Sequence, residues 1–355
     1  MAYTTIDKPT DYFNTKLYTG TGSSHAVSGI GFQPDWVWIK CRDDTHNHQV
    51  FDSVRGVHKR MRTDTNGAET TSSESLKSFD SDGFTLGTQS NVNASASGDN
   101  SFVAWNWLAG TSFTNDASST GIGSIDSAGS VNTDAGFSIV SYTGTGSNAT
   151  VGHGLGVTPK MIIVKDRSAA KNWTVYHIGV GNDKDILLDV TNAENTSTAW
   201  NNTTPSSSVF SIGTLGNVNT SSNNYIAYCF AEKKGFSKFG SYTGNGQSED
   251  GPFIYTGFKP AFVIVKKYDS TGGNWVMWDN KRSDVPNANV NDQVLYPNEP
   301  NAELSSATRE IDTLSNGFKI RGEGGNINAD ADNFIYMAFA ENPLVGTNNI
   351  PATAR

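Results

Sequence analysis

One phrase is written three times along this chain, and it constrains the fold more than any other feature. Gly31-Phe32-Gln33-Pro34 leads into Asp35-Trp36-Val37-Trp38-Ile39-Lys40. Gly156-Val157-Thr158-Pro159 leads into Lys160-Met161-Ile162-Ile163-Val164-Lys165, and Gly257-Phe258-Lys259-Pro260 into Ala261-Phe262-Val263-Ile264-Val265-Lys266. In each copy the lysine falls six residues after the proline, behind four apolar residues. Proline lacks the N–H that a ladder needs, so it marks the strand mouth, and the β-branched and aromatic run behind it is the strand.

Other stations recur around this phrase. Tyr-Thr-Gly-x-Gly opens each copy at Tyr18, Tyr142 and Tyr242. A second aromatic strand follows the proline strand: Gln49-Val50-Phe51, Trp173-Thr174-Val175-Tyr176 and Trp275-Val276-Met277-Trp278. Next come a Phe-bearing strand start (Phe84, Phe210, Phe318), an Asn-x-Asn turn ending at Asn93, Asn219 or Asn328, and a closing run, Phe102–Trp107, Tyr225–Phe230 or Phe334–Phe339. The closing runs are apolar on both alternating faces, which places them inside a packed sheet system. No segment sustains a capped 3.6-residue period, so helices should be few and short.

The expected fold is all-β, with three tandem antiparallel β-sandwich repeats of jelly-roll or concanavalin-like type. The expected boundaries are an arm over 1–17, repeats over 18–110, 137–235 and 236–345, a Ser/Gly-rich linker or loop over 111–136, and a tail over 346–355. An alternative is strand exchange that makes the three repeats one pseudo-threefold body. Because the proline phrase is architectural, recognition is expected where the copies disagree, around 55–80, 178–208 and 280–313.

Net charge −9 and a pI near 5.1 argue against nucleic-acid or anionic-membrane partners. The basic cluster His58-Lys59-Arg60-Met61-Arg62 reads as a solvated strand face. There is no apolar run of membrane-spanning length, and the N-terminus lacks the basic and apolar regions of a signal peptide, so a soluble protein is expected. Cys41 and Cys229 read as buried free thiols.

Signatures of chemistry are sparse. Nucleophile elbows, phosphate loops and zinc spacings are absent. His46-Asn47-His48 puts two imidazoles on one stretch without a third ligand nearby in sequence, and an exposed loop pair is the expectation. Asp80, Asp82, Asp330 and Asp332 stand two apart in turns, a spacing that calcium loops use, although turn chemistry alone also explains them. Calcium is therefore the one ion entertained, and no other cofactor is expected. Glu299, Glu303 and Glu310 lie where a groove could hold the paired carboxylates of glycoside hydrolysis, but their spacing does not favour it. The candidates for glycan contact are Trp36, Trp38, Trp173, Trp200, Trp275 and Trp278, since aromatic faces stack on sugar rings; the same residues would equally serve a core.

Taken together, the Tyr-Thr-Gly-x-Gly openings, the Gly-Phe-x-Pro phrases, Asp82-Gly83-Phe84-Thr85-Leu86-Gly87-Thr88, the Asn-x-Asn turns and the Phe102–Trp107 close resemble a family of repeat-bearing β-sandwich structural proteins of marine tailed bacteriophages. Their sandwich is similar to the concanavalin-like lectin and glucanase group, but no site motif of that group is present to carry over. The resemblance implies a non-enzymatic virion protein, a tail fibre or adhesin-like component or a capsid decoration, with other virion proteins and further copies of itself as partners. Host-surface carbohydrate is the implied ligand. The alternative of another class is a glycan-active enzyme, a glycoside hydrolase or lyase on a lectin-like fold.

Overall fold

In the computed structural model, residues 3–283 and 289–346 are described. Residues 347–355 of the expected tail, and 284–288 of the third variable stretch, lie outside the described residues. The fold is all-β, its strand pairs antiparallel and its only α-helices, among the described residues, single turns of four residues.

Each repeat builds one large sheet on the same plan. The closing strand lies between the opening strand and the proline strand, and the second aromatic strand pairs with the far side of the proline strand. In the first repeat these are Ser101–Trp107, Phe13–Thr19, Trp36–Cys41 and Gln49–Asp52. In the second they are Asn224–Phe230, Phe137–Thr143, Met161–Asp166 and Thr174–His177. In the third they are Asn333–Pro343, Ser237–Thr243, Phe258–Lys267 and Trp275–Asp279. The first strand thus begins at Phe13, inside the expected arm. Pro260 sits within its strand, and the ladder tolerates it because the register shifts on both sides of it.

A smaller sheet covers one face of each large one. His25–Ser28, Gly83–Leu86 and Leu76–Asp80 do so in the first repeat, Ala149–Gly152 and Val209–Ile212 in the second, and Phe253–Tyr255, Gly317–Ile320, Ile311–Leu314 and Val290–Asn291 in the third. An apolar cluster fills the space between the two layers of every repeat, around Phe84 and Phe102, Phe210 and Tyr225, and Phe318 and Phe334. The opening motif is explained here. Tyr18, Tyr142 and Tyr242 stack on Phe102, Tyr225 and Phe334 at 5.2, 5.1 and 5.0 Å. Each tyrosine hydroxyl donates to the carbonyl of the residue between the two asparagines. The second asparagine then clamps the motif: Asn219 accepts from the Thr145 N–H and donates to the carbonyls of Ser147 and Gly213. Asn93 and Asn328 repeat these three bonds. The first glycine is required by close approach, because a Cβ on Gly20 would lie 1.9 Å from the Ala94 carbonyl oxygen.

The opposite faces of the three large sheets meet one another. A single central cluster draws Phe13, Trp36, Trp38, Trp105 and Trp107 from the first repeat, Phe137, Ile163, Tyr228 and Phe230 from the second, and Phe262, Ile264, Met337 and Phe339 from the third. Trp36 stacks on Tyr228 at 4.5 Å, Phe13 on Phe339 at 5.1 Å, and Phe230 meets Phe339 edge-on at 6.1 Å. A large sheet buried on both faces is what the apolar closing runs required. Among the described residues no strand is exchanged; the three repeats share a core instead. Residues 3–6 close the ring, with Tyr3 donating to the Gly257 carbonyl, Thr4 to the Lys234 carbonyl, and Ile6 in the central cluster.

The stretch 111–136 is not a linker. Thr111–Asn115 and Ser127–Asn132 form a hairpin that pairs with the second repeat's opening strand and enlarges that sheet to eight strands. Its residues are small and polar because the hairpin is half exposed, and composition alone therefore gave no apolar alternation to find.

Candidate functional site

Several buried charges lie in the seams where one repeat meets the next. The proline-strand lysines, Lys40, Lys165 and Lys266, are fully buried at the rim of the central cluster. Their ammonium groups donate only to carbonyls among the bonds seen: Lys165 reaches Asn66 of the first repeat at 3.2 Å, and Lys266 reaches Thr191 of the second at 3.2 Å. Burial pulls each of the three down to about 8. Just beyond them the variable stretches cross over. The N–H groups of Glu69, Glu194 and Glu303 donate to the carbonyls of Arg167, Tyr268 and Arg42, at the same station of the neighbouring repeat.

The side chains around these crossings form two matching ion networks. Glu69 holds Arg167 at 2.9 Å and Arg55 at 3.2 Å, while Glu303 holds Arg42 at 2.6 Å and Arg282 at 2.7 Å. Arg55 and Arg282 are each paired with the aspartate three residues earlier, Asp52 and Asp279, and all four of these side chains are solvent-free. Burial works against charge on Arg55, but Asp52, Tyr228 and Glu69 outweigh it and hold the guanidinium above its usual value. Each aspartate also receives a donor from the next repeat: the Tyr228 hydroxyl to Asp52 at 2.7 Å, and the Trp105 indole to Asp279 at 2.9 Å.

The six tryptophans expected to meet sugar are internal, each exposed by 1 % or less. Trp36 and Trp38 fill the central cluster. Trp173 and Trp275 span seams, donating to the carbonyls of Arg62 and Leu187. Trp278 donates to the Arg309 carbonyl, and Trp200 packs edge-on against Tyr176. Enclosure by a third layer, the neighbouring repeat, removed Trp36, Trp38, Trp173 and Trp275 from solvent, while Trp200 and Trp278 lie between the two layers of their own repeats. Among the described residues the exposed large aromatics are Phe253 and Tyr255, on an edge strand of the third repeat.

The four aspartates expected to take calcium are not gathered into a cage. Asp82 accepts from the N–H groups of Gly29 and Gly31, which holds its carboxyl below its usual value and anchors the glycine of the proline phrase. Asp80 accepts from Thr85, Asp332 pairs with Lys267, and Asp330 is exposed. Turn chemistry accounts for the spacing. Glu303 is committed to its arginines, so it does not line a hydrolytic groove. His46 and His48 part company as well: His48 is fully buried and accepts from the Trp38 indole, whereas His46 turns to Asn91 and Asp99. The variable stretches, expected to carry recognition, supply Glu69, Glu194 and Glu303 to the seams.

A surface cleft remains in the second repeat, where the added hairpin leans over the opening strand. It encloses about 550 Å³ and is lined by hydroxyl and amide side chains, with Asp116, Asp126 and Arg167. Asp116 caps the turn of Ala117–Thr120, Asp126 accepts from the Ala117 N–H, and Arg167 is paired with Glu69. These charges are therefore spoken for by the fold.

The seam residues were visible in part: an apolar strand followed by Asp-x-x-Arg occurs at Asp52–Arg55 and again at Asp279–Arg282. No helix among the described residues is long and apolar enough to cross a membrane. Neither a curated protein nor a solved structure matches the chain. A family model does, over residues 8–343, and the chain accordingly belongs to the family described as a domain of unknown function, DUF7483.

Proposed function

We propose that this chain is a non-enzymatic structural protein of a phage particle, placed on the tail or on the capsid surface. The observation that carries it is the use made of the buried charged groups. Asp52 and Asp279, each backed by an arginine of its own repeat, accept Tyr228 and Trp105 from the next one, Glu69 and Glu303 pair with Arg167 and Arg42 across the seams, and the aromatic residues that a binding protein would expose are packed between sheets. A body braced in this way suits assembly and load, whereas catalysis needs reactive groups held free at a cleft. Contact with host-surface glycan, which the tryptophans are not placed to make, falls in this proposal to the hydroxyl- and amide-lined cleft of the second repeat.

Mass spectrometry of purified particles should detect the chain in fixed copy number, and particle imaging should place it on the surface. Its absence from particles would sink the virion assignment. Turnover of bacterial surface polysaccharide by the purified protein would sink the non-enzymatic one.

A further inference from the structure

One cluster of ligand-type side chains belongs neither to the seams nor to the cleft. It lies where the first repeat's proline strand runs out at Cys41. The Cys41 sulfur is 3.6 Å from Asp99 Oδ1, and His46 Nε2 is 2.7 Å from the same oxygen. Among the described residues, these three form the one group of His, Cys, Asp or Glu with metal-ligand spacing, their ligand atoms all within 4.8 Å of one another.

The other repeats show what this station ordinarily does. The strand registers align Cys41 with Asp166 and Lys267, and Asn100 with Asn223 and Asp332, so Asp99 stands one residue before the position of Asn223 and Asp332. In the second repeat Asn223 donates to Asp166 at 2.8 Å, and in the third Lys267 pairs with Asp332 at 3.3 Å. Both are complementary clips that tie the end of the proline strand to the turn before the closing strand. In the first repeat a thiol ends the proline strand, and the carboxylate it meets, Asp99, comes from the residue before the clip position and is joined by an added imidazole. His46 has no counterpart, since Lys171 and Gly273 stand at its position.

We propose that Cys41, His46 and Asp99 bind a zinc-type divalent transition ion, which serves in the first repeat as the clip that a hydrogen bond and an ion pair supply in the others. Bond lengths of ~2.3 Å to sulfur and ~2.0 Å to nitrogen and oxygen put tetrahedral ligand atoms about 3.3–3.5 Å apart. The sulfur–oxygen separation already matches, and the nitrogen–oxygen pair has to open by roughly half an ångström. The outer contacts are those that a zinc histidine uses. His46 Nδ1 lies 2.9 Å from Asn91 Oδ1, so the tautomer that donates there leaves the Nε2 lone pair facing Asp99 and the sulfur. On binding, the ion takes the place of the thiol proton, which is released to water. Asp43 is an orienting neighbour: it sits 3.2 Å from the sulfur, but its oxygens already accept the N–H groups of Asn100 and Ser101. Cys41 is buried, whereas the His46 and Asp99 side chains keep 14 % and 22 % exposure, so an ion can enter from solvent. Three protein ligands leave the fourth position to water.

The test uses the full chain stripped with chelator and titrated with Zn²⁺ by calorimetry and native mass spectrometry, with Co²⁺ as the spectroscopic probe. One ion per chain is expected, and the cobalt form should show thiolate-to-metal charge-transfer absorption. Cys41→Ser and His46→Ala should each weaken binding by at least about 100-fold, and Asn91→Ala by about 10-fold. Cys229→Ser, at the other buried thiol, should bind as the parent does. No stoichiometric uptake by the parent, uptake unchanged in Cys41→Ser, or a cobalt spectrum without the thiolate band would each overturn the site. The cobalt spectrum of the parent decides the matter even where a variant does not fold.

Discussion

Two of the three seams are held by buried aspartate–arginine pairs, and the third is not. The strand registers align Asp52, His177 and Asp279 as one position, and Trp105, Tyr228 and Met337 as another. Where the neighbouring repeat offers a donor, Tyr228 or Trp105, the acceptor is aspartate with arginine three residues on. Where it offers Met337, which has no N–H or O–H, aspartate is replaced by His177 and the arginine by Val180. His177 Nε2 then lies 3.1 Å from the Tyr336 carbonyl and donates to it. A buried carboxylate without its donors would be an uncompensated charge, so loss of one partner goes with loss of the whole network. Repeats of one plan thus differ at a seam as a unit.

The largest effect should come from breaking an ionic seam. Asp52→Ala leaves the Arg55 guanidinium buried without its closest counter-charge, and should cost about 3–5 kcal/mol in denaturant unfolding. Asp52→Leu combined with Arg55→Met should recover most of that loss, because replacing both charges removes the desolvation cost together with the attraction. A double variant no better than Asp52→Ala would show that the seam depends on charge as such.

The histidine seam should show itself through pH. Burial pushes His177 from 6.5 down to about 4. A base whose folded pKa is depressed contributes its full stability above the unfolded value and loses it as pH falls toward the folded one. Between pH 7 and pH 4 this amounts to roughly 3 kcal/mol at 1.36 kcal/mol per unit. His177→Gln, which keeps a donor and has no proton to gain, should lose that much less over the same interval, while His48 and His153 contribute equally to both proteins. Identical pH slopes would remove His177 from the acid response. A smaller loss, about 1.5–3 kcal/mol, is expected for Tyr228→Phe, which takes a charge-assisted hydrogen bond from Asp52 and leaves the ring in place.

How far the sequence showed this in advance can be followed through individual residues. The strands, their antiparallel class and the inward closing runs were legible, because Trp105, Tyr228 and Met337 lie in period-2 runs whose faces are both apolar. The two-sided burial implied a third layer, but not that the layer would be the other repeats, since alternation does not say what covers a face. Trp173 and Trp275 illustrate the consequence: their neighbourhood in variable sequence suggested solvent, and their indoles span seams. Cys41 and Asp99 were out of reach for another reason, being far apart in sequence and joined only when the closing strand pairs with the proline strand. The 111–136 hairpin was missed because Thr, Ser and Asn serve half-exposed strands and loops alike.

The smallest predicted effect bears most directly on why the seams differ. If the third seam depends on the Tyr336 carbonyl and not on the side chain at 337, a volume-conserving change there should be nearly silent. Met337→Leu keeps the apolar volume in the central cluster and leaves the backbone acceptor untouched, so it should cost less than about 1.5 kcal/mol. The aligned change in the first seam, Tyr228→Leu, removes a donor and a stacked ring together and should cost clearly more, the ring contact with Trp36 at 4.5 Å being lost as well. Both variants alter one residue at the same station of a closing strand, in two different repeats, and denaturant midpoints measured side by side compare them directly. Equal losses would mean that packing alone sets the seams, and that the substitution of His177 for aspartate is not tied to the missing donor. A several-fold difference would tie the chemistry on one side of each seam to the residue facing it across the central core.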